Sequence, residues 1–392
     1  MNAIQAFLAV AAGVFSFAVP PPAEDTDEIL AAQIEETLGG FQERYDFPGA
    51  TAAIALPDGT VISVATGLAD VEAGREMTAE TRMLAASIGK TFVGVIVLAL
   101  EYEGVLAQGD LVADHLGQQS WFANLPNAQT ITLGHLLRHQ SGLPDHPNMP
   151  EFQATFGARV AKCAPALTPE ELLGFVSGHE PLFKAGAGWA YSDTGYILLG
   201  LVIEETTGEV YYDVVQARLL DPLGLTGTIP SDGPDLADLA VGYTPSNNPF
   251  GLPERTADAE GRLAWDPAVE WAGGGFASTS RDLARWGHLL FGGKAMPTAY
   301  LSRLLDGVPV APESPDVRYG AGTAIYARTP RGPVYGHGGW IPGYVSSLRH
   351  YADHGVTVAF QINSDVGLAD DGSELVAALE AALADLAIAA VQ

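Results

Sequence analysis

The chain has 392 residues, 47% of them hydrophobic and 17% charged, so it can bury a large core, and intrinsic disorder as its main state is excluded. Asp and Glu number 47 against 19 Lys and Arg, a formal net charge of -28. A surface this acidic repels nucleic-acid phosphates and anionic lipids, so we expect neither as a partner. The single cysteine, Cys163, excludes an intrachain disulfide and a cysteine-based zinc site.

The first segment of the chain is apolar from Ala3 to Val19 and is followed by Pro20-Pro21-Pro22. This pattern is typical of a secretory signal peptide, which we place at residues 1–23, although its start lacks the usual basic residues. An uncleaved N-terminal anchor is the alternative. Because the later sequence offers no apolar stretch long enough to span a bilayer, we expect a secreted or periplasmic protein without a stable membrane span.

Hydrophobic periodicity predicts a sheet built from both ends of the chain. At the N-terminal end it predicts a helix from Asp25 to about Tyr45, followed by a hairpin of Ala50–Ala55 and Thr60–Ala65. The middle of the chain is predicted to be mostly helical. One helix is expected to begin just after Ser87 and to end near Leu100, and others are expected at Ile131–Arg138, Pro169–Val176 and Gly195–Glu205. Strands return at Gly322–Tyr326, Val334–His337, Tyr344–Tyr351 and Val356–Ile362, before a last helix at Ser373–Ala390.

This order of elements predicts an α+β fold for residues 24–392, with an antiparallel sheet flanked by the N- and C-terminal helices. We expect one α/β lobe from about 24–86 and 315–392, and a mostly helical lobe inserted at about 87–314. Two connectors, Ser141–Pro144 and Pro245–Pro253, are interpreted as surface loops because they are rich in Pro, Gly and Asn.

Three common kinds of site are disfavoured by the sequence. A Gly-x-Ser-x-Gly elbow is missing, and Gly89-Lys90-Thr91 lacks the first glycine of a phosphate-binding loop because Leu84 stands in its place. His135 and His139 are four residues apart, but a zinc protease helix would carry Glu after the first histidine. We interpret both as packing and hydrogen-bonding residues, and we expect neither a metal nor a cofactor.

The spacing of Ser87-Ile88-Gly89-Lys90 offers a nucleophile with a basic partner. Three residues apart on a helix, the two side chains share a face, so the Lys90 amine can reach the Ser87 hydroxyl. A helix N-terminus at Ser87 would add a positive dipole end and free N–H groups that stabilise an oxyanion. The pattern is short enough to occur by chance, in which case Ser87 is only a helix cap.

Three further segments follow in a fixed order. Leu136-Leu137-Arg138-His139-Gln140-Ser141-Gly142-Leu143-Pro144 lies between Ser87 and Tyr191-Ser192-Asp193, and His337-Gly338-Gly339 ends a late strand. With these motifs the chain resembles the serine β-lactamase and penicillin-binding-protein superfamily. The similar branch holds class C β-lactamases, D-alanyl-D-alanine carboxypeptidases, D-aminopeptidases and related esterases. The resemblance runs from about Ile29 to the last helix and implies a two-lobed β-lactamase-like fold.

The resemblance also implies roles for individual residues. Ser87 corresponds to the nucleophile, Lys90 to its partner on the helix, and Tyr191 to the general base, whose pKa a nearby Lys90 cation is expected to lower. The backbone N–H groups of Ser87 and Trp340 correspond to the oxyanion hole. Gly338, Gly339, Trp189 and Tyr344 are candidates for substrate binding, although core packing explains the aromatic residues equally well.

Two positions of the catalytic set depart from the family pattern. Asp193 replaces the usual Asn, and a carboxylate there either keeps Lys90 charged or selects a substrate amine. His337 replaces the usual Lys, so the fixed cation that binds a substrate carboxylate becomes a group with a pKa near 6.5. The change to His337, together with the acidic net charge, disfavours substrates that carry a carboxylate.

We therefore predict a serine hydrolase that cleaves small esters, amides or peptides through a Ser87 acyl-enzyme, with Tyr191 as general base assisted by Lys90. A D-alanyl-D-alanine carboxypeptidase or a class C-type β-lactamase is the alternative. A non-hydrolytic penicillin-binding-like protein and an acyltransferase stay open, as does the oligomeric state.

Overall fold

The structure is a computed structural model that describes residues 26–367 and 374–392. The predicted signal peptide at residues 1–23 lies outside these residues and stays a prediction. Within the described ranges, no helix combines the length and the apolar character needed to cross a membrane.

Over residues 26–367 and 374–392, antiparallel strands form a nine-stranded sheet and a three-stranded sheet. The strands are β1 (Gly49–Ala55), β2 (Val61–Asp70), β3 (Arg75–Glu76), β4 (Met83–Leu84), β5 (Ile229–Pro230), β6 (Phe276–Ser278), β7 (Val308–Pro309), β8 (Val317–Tyr319), β9 (Ala324–Tyr326), β10 (Val334–Ile341), β11 (Tyr344–Tyr351) and β12 (Val356–Ile362). The large sheet has the order β3-β2-β1-β12-β11-β10-β9-β8-β7, and the small one β4-β6-β5. The two ends of the chain thus meet where β1 pairs with β12.

The helices belong mostly to the middle of the chain. They are α1 (Thr26–Tyr45), α2 (Lys90–Tyr102), α3 (Val112–Leu116), α4 (Leu133–Leu137), α5 (Pro150–Val160), α6 (Pro169–Gly174), α7 (Asp193–Thr207), α8 (Tyr211–Val215), α9 (Asp221–Leu223), α10 (Ser280–Phe291), α11 (Leu301–Leu304) and α12 (Leu375–Ala389). A 3₁₀ turn at Ala86–Gly89 leads directly into α2.

Helices cover both faces of the large sheet. Successive side chains of a strand point to opposite faces, and in β1 Ala52 and Ile54 pack with the apolar residues of α1 and α12. Ala53 and Ala55 belong instead to the core on the other face, where α10 packs against β1, β11 and β12. All seven residues of β1 are therefore buried.

The predicted α+β class is confirmed, with an antiparallel sheet flanked by the terminal helices α1 and α12. The bounds of β11 and β12 agree with the predicted strands at both ends. The structure adds α5, α10 and the small sheet, which the sequence patterns did not predict. α10 and β7 lie in the stretch expected to form the helical lobe, yet α10 packs on the large sheet and β7 pairs within it.

Candidate active site

Ser87 lies in the 3₁₀ turn between β4 and α2. The preceding residue, Ala86, has a φ of +49°, in the left-handed region that residues with a Cβ rarely adopt. Gly274 packs against this turn so closely that a Cβ on it would lie 2.6 Å from the Ala86 carbonyl and 3.0 Å from the Ser87 nitrogen. Ala86 and Ile88 are buried whereas Ser87 is partly exposed. The turn thus leaves one accessible hydroxyl in an otherwise buried segment.

Lys90 lies one turn further along and is fully buried. Its Nζ atom donates a hydrogen bond to Ser87 Oγ at 3.0 Å and another to the Gly273 carbonyl. The same atom forms an ion pair with Asp193 Oδ1 at 2.5 Å. Burying a charge is costly unless it is paired and hydrogen-bonded, and all the contacts of this ammonium group meet that condition. The contact between Asp193 and Lys90 is the one expected for a carboxylate at this position.

Asp193 is the first residue of α7, where a carboxylate interacts favourably with the helix dipole. Its own N–H donates to Asp145 Oδ1 at 2.7 Å, so the Asp145 side chain caps the helix. Burial together with the Asp193 charge raises the pKa of Asp145 to about 8. Two carboxyl groups therefore lie side by side at the start of α7, within reach of Lys90.

Tyr191 lies two residues before the start of α7 and contacts Ser87 directly. Its hydroxyl donates to Ser87 Oγ at 2.8 Å, and Lys90 Nζ lies 5.0 Å from its ring centroid. Burial and the Asp193 charge raise the pKa of Tyr191 well above its ordinary value of 10. The expectation of a lowered pKa for Tyr191 is therefore wrong, because burial, the largest cause, and the Asp193 charge both disfavour the phenolate. At neutral pH Tyr191 is a neutral phenol that donates to the serine.

His139 fixes the backbone on both sides of Tyr191. Its Nδ1 accepts the N–H of Ser192 at 3.1 Å, and its carbonyl accepts the N–H of Ala190 at 3.0 Å. The His139 ring lies 4.2 Å from the Tyr191 ring, centroid to centroid, and its φ is +57°. Burial lowers the pKa of His139 well below 6.5, so the ring is neutral and Nδ1 is free to accept. The predicted packing and hydrogen-bonding role is confirmed.

His337 lies on β10, which packs against the turn that carries Ser87. It is buried, and desolvation with the nearby Lys90 charge lowers the pKa of His337 to about 3. Its Nδ1–H donates to the Gly338 carbonyl at 2.5 Å, so Nε2 accepts the Tyr319 hydroxyl at 2.7 Å. His337 is thus a neutral, doubly bonded ring at neutral pH, and it offers no positive charge to a substrate carboxylate.

The glycines after His337 allow β10 to lie directly along the Ser87 turn. A Cβ on Gly339 would come within 2.2 Å of the Ala85 carbonyl and of Ser346 Oγ, so another residue would push the strand away. Trp340 follows, 44% exposed, with its Nε1–H donating to Asp365 Oδ2 at 3.0 Å. The backbone of Trp340 thus lies on the strand beside Ser87, where the predicted oxyanion hole would be; that role stays a prediction.

A cavity of about 840 Å³ opens in front of Ser87. Of the predicted site residues, those that line it are Ser87, Tyr191, Asp193, His337, Gly338, Gly339 and Trp340. Lys90 lies beneath its floor. The cavity is large enough for a small-molecule substrate.

Two predicted substrate-binding residues do not line this cavity. Tyr344 is 1% exposed, and its hydroxyl donates to the Ala240 carbonyl at 2.7 Å, so it is a core residue. Its ring fills the space that Gly242 leaves open, since a Cβ there would lie 2.7 Å from the ring. Trp189 is half-buried, with its ring centroid 6.0 Å from that of His139 and 6.2 Å from that of Tyr319.

Several cavity residues were not identified from the sequence. The loop interpreted as a surface connector contributes Pro245, Asn247, Asn248, Pro249 and Phe250 to the wall. Asp145 directly follows the quoted segment that ends at Pro144, and Asp365 follows β12. The nearness of Asp145 to that motif was the one available signal. The loop and Asp365 carry no local pattern, because only the tertiary fold brings them to Ser87.

Known proteins are similar to this chain over most of its length. A family model described as Beta-lactamase matches residues 34–383. Penicillin-binding protein 4* of Bacillus subtilis (strain 168) is 26% identical over 337 residues, which cover 84% of this chain and 70% of that protein. Penicillin-binding protein 4 of Amycolatopsis lactamdurans is 26% identical over 354 residues, 86% of each chain.

Solved structures are similar over most of the chain. A D-stereospecific amidohydrolase from Streptomyces sp. has a TM-score of 0.73 at 28% identity and covers 84% of this chain and 94% of its own. The D-amino acid amidase from Ochrobactrum anthropi SV3 complexed with D-phenylalanine has a TM-score of 0.75 at 25% identity. The similarity covers 93% of this chain and 99% of the amidase chain. The matched family model and these similarities show that the chain belongs to the β-lactamase family and is a serine hydrolase.

Proposed function

We propose that this serine hydrolase cleaves small amides and esters that carry a free amine, through an acyl-enzyme on Ser87. The observation that carries the proposal is the charge of the cavity in front of Ser87. Among the described residues that line it, the acidic side chains are Asp193, Asp365 and Asp145, and neither Lys nor Arg is present. With its pKa raised to about 8, Asp145 is mostly protonated at neutral pH until a nearby cation favours its charged form. The segments outside the described residues, 1–25 and 368–373, contain neither Lys nor Arg in their sequence.

This charge pattern disfavours substrates that carry a carboxylate, such as β-lactams and peptides ending in D-alanine. A carboxylate in such a cavity would face carboxyl groups without a cation to pair with, since His337 is neutral and Lys90 is buried and paired. An ammonium group would instead be attracted. The carboxypeptidase and β-lactamase alternatives therefore rank below an amidase or aminopeptidase.

Two structural neighbours narrow the choice of substrates. They are named as a D-stereospecific amidohydrolase and a D-amino acid amidase, and both are similar to this chain over more than four-fifths of its length. Amides of D-amino acids carry a free amine beside the scissile carbonyl, which fits the acidic cavity. We propose this class as the first to be tested.

The contacts of Ser87 support an acylation step in which its proton leaves through the Lys90–Asp193 pair. The Lys90 ammonium group first passes a proton to Asp193 Oδ1, 2.5 Å away, which frees a lone pair on Nζ. As Ser87 Oγ bonds to the substrate carbonyl carbon, its proton then passes to Lys90 Nζ, 3.0 Å away. The negative charge of the Asp193 carboxylate is thereby moved to the substrate oxygen, where the N–H groups of Ser87 and Trp340 would stabilise it.

Tyr191 is suited to the next step because it is protonated at rest. As the bond between the carbonyl carbon and the leaving nitrogen breaks, the Tyr191 hydroxyl donates its proton to that nitrogen. Lys90 and Asp193 then return the serine proton to the phenolate. Water attacks the acyl-enzyme with the same proton path and releases the acid. In this scheme Tyr191 is the general acid of acylation, and Lys90 with Asp193 is the base.

The test is intact-protein mass spectrometry combined with product release. Wild type, Ser87→Ala and the surface control Ser302→Ala are exposed to a D-amino acid amide, p-nitrophenyl acetate and benzylpenicillin. Turnover of the amide and ester by wild type and Ser302→Ala, lost in Ser87→Ala, supports the proposal. A persistent penicilloyl adduct without amide turnover contradicts it, and so does penicillin turnover that is faster than amide turnover. Failure of Ser87 to acylate with any reagent contradicts it as well.

A further inference from the structure

A second, smaller cavity adjoins the one in front of Ser87. It measures about 40 Å³ and shares Pro147 and Phe250 with the wall of the larger cavity. The cavity is linked to the catalytic lysine through one turn of chain. The N–H of Gly273 donates to the Glu270 carbonyl at 2.7 Å, and the Gly273 carbonyl accepts from Lys90.

The walls of this small cavity are mainly aromatic. The ring centroids of Phe152 and Phe156 are 5.6 Å apart, those of Phe156 and Trp265 5.8 Å, and those of Phe152 and Phe250 6.4 Å. Aromatic rings attract cations over their faces, and a set of rings around a small space is a common way to bind an ammonium group. The walls alone are therefore compatible with an apolar group or with a cation.

Glu270 distinguishes between these two occupants. Its carboxyl group lies in the wall of the small cavity, and within residues 26–367 and 374–392 it has neither a hydrogen-bond donor nor an ion-pair partner. The other titratable side chain of the wall, His146, is neutral, because burial lowers the pKa of His146 to about 4, and its Nδ1 is hydrogen-bonded to Thr194 Oγ1 at 3.1 Å. Glu270 is half-buried, and its carboxyl group, desolvated among these rings and without a protein donor, is poorly stabilised unless solvent or a ligand supplies one.

We propose that the small cavity is an ammonium subsite, in which Glu270 and the surrounding rings bind the primary amine of a substrate whose carbonyl is attacked by Ser87. This inference rests on the proposed function and deepens it. A space of about 40 Å³ holds one group the size of a water molecule. A primary ammonium group fits, whereas an N-acetylated amine is too large. The enzyme therefore selects free amines by charge and by size.

Kinetics with matched substrates test the subsite. The substrates are D-alanine p-nitroanilide, its N-acetyl derivative, and p-nitrophenyl acetate, which has no amine. Wild type is compared with Glu270→Gln, which keeps the shape of the side chain, and with Glu313→Gln, an exposed carboxylate outside both cavities. We expect Glu270→Gln to lower kcat/KM for the free amine about 10-fold to 100-fold, mainly through KM, because a charge-assisted hydrogen bond is lost. The rate on p-nitrophenyl acetate stays near wild type.

Equal loss on all substrates, or no loss on the free amine, overturns the subsite. A direct measurement separates this failure from failure of the proposed function. Calorimetric titration of Ser87→Ala and of Ser87→Ala/Glu270→Gln with D-alaninamide reads binding without turnover. Weaker binding in the double variant supports the subsite even if the wild type cleaves none of the substrates, and equal binding overturns it even if the Ser87 acyl-enzyme forms.

Discussion

Asp193 Oδ1 lies 2.5 Å from Lys90 Nζ, and this ion pair joins the nucleophile to the acidic side of the cavity. Lys90 is fully buried and also donates to Ser87, whereas Asp193 keeps 20% of its side chain exposed and lines the cavity. The carboxylate of Asp193 can therefore accept a proton from Lys90 and also favour substrates that carry a positive charge. The family resemblance assigns an asparagine to this position, so the carboxylate of this pair departs from the usual family pattern.

Replacing Asp193 with Asn tests whether the carboxylate takes part in proton transfer. We expect Asp193→Asn to lower kcat about 100-fold on both amides and esters, since the final proton acceptor is lost while Lys90 stays in place. Steady-state kinetics measure this, with the exposed Asp213→Asn as control. Unchanged kcat in Asp193→Asn would mean that Lys90 accepts the serine proton without Asp193.

Replacing Tyr191 with Phe tests whether the phenol acts on the leaving group. We expect Tyr191→Phe to lower kcat/KM on a D-amino acid amide about 1000-fold, because an amine must be protonated as it leaves. On p-nitrophenyl acetate the loss should be about 10-fold or less, because p-nitrophenolate leaves without a proton. The exposed Tyr102→Phe is the control. Equal losses on both substrates would return Tyr191 to the role of general base on Ser87.

Residues close in sequence were the easiest to place in advance. Ser87 and Lys90 are three apart, so local spacing alone predicted their contact, which the structure shows at 3.0 Å. Tyr191 and Ser87 are 104 residues apart, and only the order of motifs pointed to their hydrogen bond. The strands β11 and β12 were predicted well because each is an apolar run bounded by Gly, Pro or Asp.

The rest depends on tertiary contacts that no local pattern encodes. The pKa of Tyr191 could not be predicted, because it depends on burial and on the nearby Asp193 charge. Glu270 stands in a stretch without a recognisable motif, and only the packing of Phe152 and Trp265 gives its carboxyl an aromatic surrounding. Tyr344 shows the converse, since its place beside the catalytic motif suggested a binding role although it is a core residue.

Replacing His139 tests whether it positions Tyr191. His139→Ala removes the acceptor for the Ser192 N–H. The alanine would also hold a strained φ of +57° without the hydrogen bond that His139 makes from this position. We expect kcat to fall about 10-fold to 100-fold with KM little changed, and stability to fall by about 2 kcal/mol. His139→Asn should restore most of both, because asparagine tolerates this φ and its Oδ1 can replace Nδ1. Loss of stability in His139→Ala without loss of kcat, measured by urea unfolding and kinetics, would make His139 purely structural.

The free energy of unfolding of Glu270→Gln provides a test of this carboxyl group that does not depend on turnover. Burial, with the Asp193 charge, raises the pKa of Glu270 from the ordinary 4.5 to about 7, against the opposing effect of Lys90. Between these pH values the folded state holds a proton that the unfolded state releases, so the contribution of Glu270 to stability is present below about pH 4.5 and is lost as the pH rises through 7.

Glutamine does not titrate, so Glu270→Gln should gain about 2 kcal/mol relative to wild type between pH 5 and pH 8. The Glu270 charge also contributes to the raised pKa of Asp145, so its removal lowers that pKa and adds a further change of the same sign. Urea unfolding at pH 5 and pH 8 measures the free energy of unfolding of both proteins. For the surface control Glu313→Gln, the difference in this free energy from wild type should be the same at both pH values. A constant difference for Glu270→Gln as well would show that this carboxyl group titrates normally. If urea unfolding at pH 8 shows that Glu270→Gln is at least as stable as wild type, weaker amine binding by the variant at that pH does not arise from unfolding.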